Sequence, residues 1–366
     1  MTAARRFAHS EAMDACSGAL PAPTSDDRLL VAGLDIGGTR QSLALVRPDG
    51  RMVYHARHTS PPETTATALF EGICATLAAA LAQAGAAGWQ VAAVGVGFGG
   101  PVDVQSGVVR TSHHVPGWSG FPLRQALASR FGLPVALEND ARAGSLGELH
   151  FGAGRGHRHM VYINIGTGIG GGLVLDGKLY RGATTTAGEI GHMRVLPNGP
   201  PCPCGGRGCL EALASGPSIA RRARSAVAQD PVAGAALLRA AGGDVHGLTS
   251  HHVFAAAAQG DALAIRLVDE TAEYLALAVT SLVNLLNPTV VVFGGGVSEV
   301  GEPLLRPVRE RVRQWALPPA GSGVALVQAR LGYNAGVIGA AALALELIGV
   351  LSIEPARSGL PECSDL

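Results

Sequence analysis

Residues 29–58 read LLVAGLDIGGTRQSLALVRPDGRMVYHARH and residues 160–182 read MVYINIGTGIGGGLVLDGKLYRG, and the fold turns on these stretches sharing one grammar. Each begins as an apolar strand ending in a short polar side chain, Asp35 in the first and Asn164 in the second. Each then turns through glycine, at Gly37-Gly38 and from Gly166 to Gly172, into a second apolar strand. An Asp-Gly pair (Asp49-Gly50, Asp176-Gly177) follows and makes a hairpin into a third strand. A three-strand meander that occurs twice, each time followed by helical sequence, implies two similar α/β lobes facing a cleft.

Working outward, residues 66–85 read as an amphipathic helix and 91–97 as a buried strand that runs into Phe98-Gly99-Gly100-Pro101-Val102-Asp103. A short helix over 122–131, a strand over 133–137 and a helix from about 141 to 150 complete the first half. After the second meander, Ser215-Gly216-Pro217 opens a helix. A long apolar helix over 261–286 stops before Asn287-Pro288, and the strand 289–293 leads into Gly294-Gly295-Gly296. A last helix covers about 335–348. The division expected is a loose arm over 1–27, a first lobe over 28–138, a second over 139–334, and a loose tail over 353–366. The last helix (about 335–350) is expected to pack back on the first lobe.

The 366 residues suit two domains, and 47% hydrophobic against 15% charged residues is enough to build their cores. With 28 basic and 28 acidic side chains the net charge is +0, which removes the electrostatic case for a nucleic-acid or anionic-membrane partner. Lys178 is the sole lysine, and it stands in a hairpin context. That excludes a P-loop NTPase and a protein kinase, both of which need a lysine at the phosphates. No charge-free apolar run reaches membrane-spanning length, and the first 27 residues carry no apolar stretch of signal-peptide type. A cytoplasmic protein is the expectation. Glycine, at 51 residues, is about twice its usual share, and much of the excess lies in a few short loops.

Those loops point to phosphate. A turn whose backbone N–H groups face outward holds phosphate oxygens only where no side chain blocks the approach. Asp35-Ile36-Gly37-Gly38-Thr39 offers this, with Asp35 placed for outer-sphere contact to Mg²⁺, and Gly166-Thr167-Gly168 offers a second copy. Gly294-Gly295-Gly296 suits close approach of a nucleoside or of a helix end. Any one such loop alone reads as a tight turn, and it is three of them, two in the duplicated meanders, that put phosphate binding ahead. Glu138-Asn139-Asp140, at a strand end before a helix, has two readings of equal weight: a general base with an orienting amide, or a helix N-cap. His192, Cys202, Cys204 and Cys209 give H-x9-C-x-C-x4-C, four ligands with no open position, which suits structural Zn²⁺. His113-His114 and His251-His252 lack ligand partners at metal spacing and read as surface or loop residues. Trp118, in a Pro-Gly turn context, reads either as a cleft wall or as packing.

The order of motifs resembles the ROK family, a bacterial group of repressors and sugar kinases with the actin-like (ribonuclease H-like) ATPase fold. The carriers are LDIGGT, GVGFGGPVD, GWSGFPL, ENDARAGSLGE, INIGTGIGGGLVLDGKLYRGATTTAGEIGH, CPCGGRGCLEALASG and VVFGGGVS, between about residues 30 and 350. The resemblance implies Asp140 as catalytic base, with Asn139, Glu189, His192 and Glu211 as sugar ligands and Gly100 lining the pocket. It implies His192 shared with the zinc site, and ATP phosphates held at Asp35–Thr39 and Gly166–Gly168 with adenosine near Gly294–Gly296. Many family members carry proline where Gly99 stands, which bears on sugar preference. Repressor members carry a DNA-binding domain of about 80 residues ahead of this region, and the segment before the first strand, with Pro21 and Pro23, does not fit one. The implied activity is that of an ATP- and Mg²⁺-dependent hexose kinase, acting on glucose at its 6-hydroxyl as a homodimer or homotetramer. The alternatives are another hexose (N-acetylmannosamine, N-acetylglucosamine, fructose) or a silent sugar-binding regulator.

Overall fold

The computed structural model describes residues 20–23, 28–38, 40–61, 64–111 and 117–351; Thr39, His113, His114, most of the 1–27 arm and the 353–366 tail lie outside the described residues. Leu20–Pro23, expected within the loose arm, lie against the first lobe, where Trp89 Nε1–H donates to the Pro21 carbonyl at 2.7 Å.

The first half runs β1 (Leu29–Ile36), β2 (Arg40–Val46), β3 (Met52–Thr59), α1 (Ala66–Ala86), β4 (Gln90–Phe98), the short β5 (Val102–Asp103) and β6 (Val108–Val109), α2 (Leu123–Phe131), β7 (Val135–Asn139) and α3 (Asp140–Phe151). The second runs β8 (Met160–Ile165), β9 (Ile169–Leu175), β10 (Lys178–Tyr180), α4 (Leu210–Ala214), α5 (Gly216–Gln229), α6 (Ala235–Ala240), α7 (Ser250–Ala258) and α8 (Ala262–Leu286). It continues with β11 (Val290–Gly294), α9 (Glu302–Trp315), α10 (Ala320–Gly323), β12 (Ala325–Gln328) and α11 (Ala335–Leu347).

The two large sheets have the same wiring. The first orders its strands β3-β2-β1-β4-β7 and the second β10-β9-β8-β11-β12. In both, an antiparallel meander is extended by two parallel strands. Asp35 of β1 pairs with Gly97 of β4, and Asn164 of β8 pairs with Gly294 of β11, so the duplicated polar residues hold equivalent register. The hairpins differ in detail. Asp176 (φ 51°) and Gly177 (φ 76°) both take the left-handed region of a tight two-residue turn, whereas the earlier turn closes more widely from Arg47 to Arg51. The strand expected over 133–137 forms at 135–139: Pro134 accepts from Val94 N–H at 2.9 Å but has no N–H of its own to carry the ladder back to Leu133.

β1 is buried on both faces, as a central strand of a covered sheet must be. Leu30, Ala32, Leu34 and Ile36 meet the Leu69, Ile73 and Leu77 stripe of α1, while Val31 meets Val337 and Ile338 of α11. α1 is also the one helix among the described residues long and apolar enough to cross a membrane by length and composition. Its apolar stripe is committed to the sheet.

The two sheets meet through helices. α11 lies on β1 and β4, α3 lies on β8 and β9, and the two helices cross. The crossing is made by backbone. A side chain on Gly339 would overlap the Ala143 carbonyl oxygen, and one on Gly147 would come within 2.9 Å of the Ala335 oxygen. α11 is pressed as closely on the first sheet, where a side chain on Gly95 would overlap the Ala340 oxygen. Glu148, fully buried in α3, fixes the approach to α11 by accepting from the backbone N–H groups of Arg330 (3.1 Å) and Leu331 (2.8 Å) and from Ala153 (2.7 Å). Three donors satisfy a carboxylate that would otherwise be costly to bury.

Gly339→Ala is therefore expected to lower stability by about 2–4 kcal/mol in denaturant unfolding, since the neighbour that must move is backbone. Gly72→Ala, inside α1 with open space around it, is expected to raise stability by about 0.5–1 kcal/mol in the same measurement.

Candidate active site in the interlobe cleft

The ends of β1, β4 and β7 bring Asp35, Gly99–Gly100 and Asn139–Asp140 to one place. Within the Glu138-Asn139-Asp140 run a single residue does the capping. Asn139 is the N-cap of α3, its Oδ1 accepting from Ala141 N (3.1 Å) and Arg142 N (3.2 Å). Asp140 is thereby left as the first helical residue. Its Oδ1 accepts from Ala141 N (2.8 Å) and Asn139 Nδ2 (2.9 Å), while Oδ2 faces Gly99, 3.5 Å from where a side chain there would begin. Asn139 Nδ2 also leans toward the Gly100 carbonyl at 3.4 Å.

Burial pushes the Asp140 carboxyl above the ordinary carboxylate range, and the nearby charge of Glu189 adds to this. Asp35 is pushed up to about 7, chiefly by burial and then by repulsion from Asp140. The start of α11 closes over it, since a side chain on Gly336 would overlap Asp35 Oδ2. Two carboxylates that repel in a partly dry cleft are a donor set for a cation, and among the described residues neither has an ion-pair partner.

The facing wall comes from the second sheet. Gly166 and Gly168 turn between β8 and β9, with Gly166 N–H donating to the Gly168 carbonyl at 2.9 Å and no atom near a side chain placed on Gly166. Gly216, at the start of α5, donates to the Gly166 carbonyl (2.9 Å), and Val297 donates to Ile165 (3.0 Å). Residues 165–168, 216 and 294–297 thus share one strand end. Gly295 has φ +83°, and a side chain there would meet the Ile165 oxygen at 2.5 Å. Gly294 seats on Tyr162, and Gly296 faces the exposed Tyr333.

Glu189 stands exposed near Asp140. Glu211, in α4, accepts from Ile169 N at 2.8 Å, so its carboxylate lies at the Gly166–Gly168 turn. Trp118 is packing: it is buried edge-on against Phe98 and Phe121. His252 serves α7, its ring accepting from Thr249 N at 3.2 Å in a capping box.

His192, Cys202, Cys204 and Cys209 converge, with their ligand atoms all within 4.8 Å of one another. Cys204 and Cys209 Sγ are 3.7 Å apart, and His192 Nδ1 is 3.8 Å from Cys202 Sγ. A disulfide is excluded by those distances, whereas a tetrahedron with metal–sulfur bonds of about 2.3 Å has edges of about 3.8 Å. The loop can wrap because Gly208 (φ 67°) presses on the Leu196 carbonyl, where any side chain would collide. The residues fit zinc.

What sequence reasoning missed is the buried ion network behind Asp140. Glu138, with no exposed surface, pairs with Arg142 at 2.6 Å and with Arg181 at 2.7 Å. A carboxylate four residues ahead of an arginine is a readable spacing, but it spans a strand-to-helix junction, where helical pairing rules do not apply.

Two duplicated sheets, a carboxylate pair and glycine turns on both sides of a cleft define the class of two-lobed, actin-like ATPase folds. The family model described as ROK family matches residues 31–347, and the chain belongs to that family. It is 38% identical over 322 residues to a glucokinase of Thermotoga maritima, covering 88% of this chain and 99% of that protein. It is 36% identical over 318 residues to a glucokinase of Streptomyces coelicolor, covering 87% of this chain and 98% of that protein. The crystal structure of a ROK family glucokinase from Streptomyces griseus in complex with glucose and AMPPNP superposes with a TM-score of 0.75 at 38% identity, covering 87% of this chain and 99% of that one.

The raised carboxyl of Asp35 has a stability signature. Its contribution is fully present below the unfolded value near 3.8 and is lost as pH rises through about 7. Asp35→Asn is therefore expected to raise the Tm of the ligand-free protein at pH 8 and to leave it nearly unchanged at pH 4, as thermal denaturation at the two pH values would show.

Proposed function

We propose that the protein is an ATP-dependent hexose kinase that phosphorylates glucose at its 6-hydroxyl. The observation that carries this is Asp140: a carboxylate fixed by one oxygen, free at the other, and raised toward the range where a general base works. The glucose- and AMPPNP-bound relative and the glucokinases at 36–38% identity support substrate and donor.

In this reading Asp140 Oδ2 accepts the proton of the attacking hydroxyl while Asn139 holds the other carboxylate oxygen. Asn139, Gly100, Glu189, His192 and Glu211 surround the sugar. Glu211, bonded to the Ile169 amide, links the sugar side to the phosphate turn. The amides of Gly38, Thr167 and Gly168 face the phosphates, Gly37 and Gly166 close the two turns by donating to the Arg40 and Gly168 carbonyls at 2.9 Å each, and Gly294–Gly296 face the adenosine. Mg²⁺ bound with the nucleotide would lie toward Asp35 and supply charge neutralisation that no lysine provides. Zinc held by His192, Cys202, Cys204 and Cys209 would cross-link the loop between Glu189 and Glu211 and so fix their spacing.

The lobe boundary falls at residues 138/139, with α11 returning to the first lobe. The enzyme works in the cytoplasm, where ATP is available, as a homodimer or homotetramer. Exposed Leu285, Trp315 and Leu317, joined through a Leu317 N to Asn284 Oδ1 bond (2.9 Å), offer the apolar patch for that association.

A coupled ADP-release assay across glucose, fructose, mannose, N-acetylglucosamine and N-acetylmannosamine is expected to give the highest kcat/KM with glucose; absence of turnover on all five would leave a sugar-binding regulator. Asp140→Asn is expected to cut kcat by about 10²–10⁴ while glucose binding persists in calorimetry. Because the base must be charged and its carboxyl is raised, kcat/KM is expected to fall on acidification at a pH above the ordinary carboxylate range. Cys204→Ser is expected to lose stoichiometric zinc by elemental analysis and to lower Tm. A wild-type protein isolated without zinc and equally stable to chelator would remove the metal.

A further inference from the structure

We propose that Arg181, Glu138 and Arg142 form a positioning device that holds the Arg181–Gly188 loop, and through it Glu189, in register with Asp140. The inference rests on the reading of Asp140 and Glu189 as base and sugar ligand.

Glu138 is the penultimate residue of β7 in the first sheet, immediately before Asn139. Its Oε1 accepts from Asn139 N (2.9 Å) and Arg142 Nε (2.6 Å). Its Oε2 accepts from Arg181 Nε (2.7 Å), which belongs to the chain just after β10 in the second sheet. Arg142 completes the circuit, its Nη1 donating to the Ala187 carbonyl at 3.2 Å. One carboxylate therefore fixes the backbone under Asp140 and, through two arginines, both ends of the loop that precedes Glu189. The side chains of Glu138 and Arg142 are 0% and 3% exposed, so the bonds form away from water, where a charged pair needs all its partners.

The loop itself is held against its own preference. Thr185 has φ 61°, a left-handed conformation that a β-branched residue adopts only under constraint. Its buried hydroxyl has no hydrogen-bond partner among the described residues. Ala187 N donates back to the Arg181 carbonyl at 3.0 Å, which closes the loop between the two tethers. A loop serving only as a connection has no need of two arginine tethers to one carboxylate of the opposite sheet. One that must aim Glu189 does, because small misplacements of a substrate ligand are costly.

Arg181 is a third exposed, so Arg181→Met removes a tether without emptying the core. Steady-state kinetics are expected to give a glucose KM raised about tenfold or more, an ATP KM changed less than about twofold, and a Tm close to wild type. Arg181→Lys is expected to recover most of the glucose KM. Should Arg181→Met not fold, Arg181→Gln carries the same expectation. An unchanged glucose KM, or glucose and ATP KM rising together as Tm falls, would overturn the proposal. Asp140→Asn is run beside it. If that variant is inactive while Arg181→Met is unaffected, the positioning role alone fails. If it turns over normally, the site reading fails and takes this inference with it.

Discussion

The structure depends on how closely two helices can approach. α3 belongs against the second sheet and α11 against the first, and the two helices cross between the lobes, beside the Glu138–Arg181 pair that links the sheets directly. Gly147 and Gly339 let backbone touch backbone there, with Ala143 and Ala335 supplying the carbonyls. That contact sets the depth of the cleft, because Asp140 opens α3 and the residues over Asp35 open α11. The same two helix starts that hold the lobes together therefore present the carboxylate pair. Any side chain at the crossing would part the lobes and move both acids at once.

That arrangement accepts an electrostatic cost. Burial raises both Asp35 and Asp140, Asp140 raises Asp35 further, and Glu189 adds a third negative group. Asp140 has hydrogen-bond donors at one oxygen only among the described residues, while Glu148, a few residues further along α3, accepts from three amides. Two buried or half-buried acids on one helix thus have opposite characters, and the difference lies wholly in their donors. Carboxylates left short of partners inside a folded protein mark where binding, rather than folding, supplies the missing stabilisation.

Much of this was legible in the sequence. The two meanders were visible because hydrophobic alternation and Asp-Gly turns are local signals, and the identical order of the two sheets bears out the duplication. The cysteine cluster was legible because its ligands lie close along the chain. The helix crossing was not, since a glycine in an apolar helix gives no sign of which backbone will press on it. The Arg181 tether was also invisible: Glu138 and Arg181 are 43 residues apart, and neither type predicts burial. The cap of α3 could not be assigned between Asn139 and Asp140 until the hydrogen bonds placed it on Asn139.

The equivalent register of Asp35 and Asn164 carries a consequence for how the duplicated halves have diverged. At one position on two copies of the same strand, the first copy has a carboxylate and the second its amide. An acid at both positions would add one more carboxylate to Asp35, Asp140 and Glu189. Exchanging one oxygen for an NH₂ in the second half breaks the symmetry of the charge without disturbing the symmetry of the fold. The two matching strand ends thereby differ in charge: one meets the cleft with an acid, the other with a neutral amide.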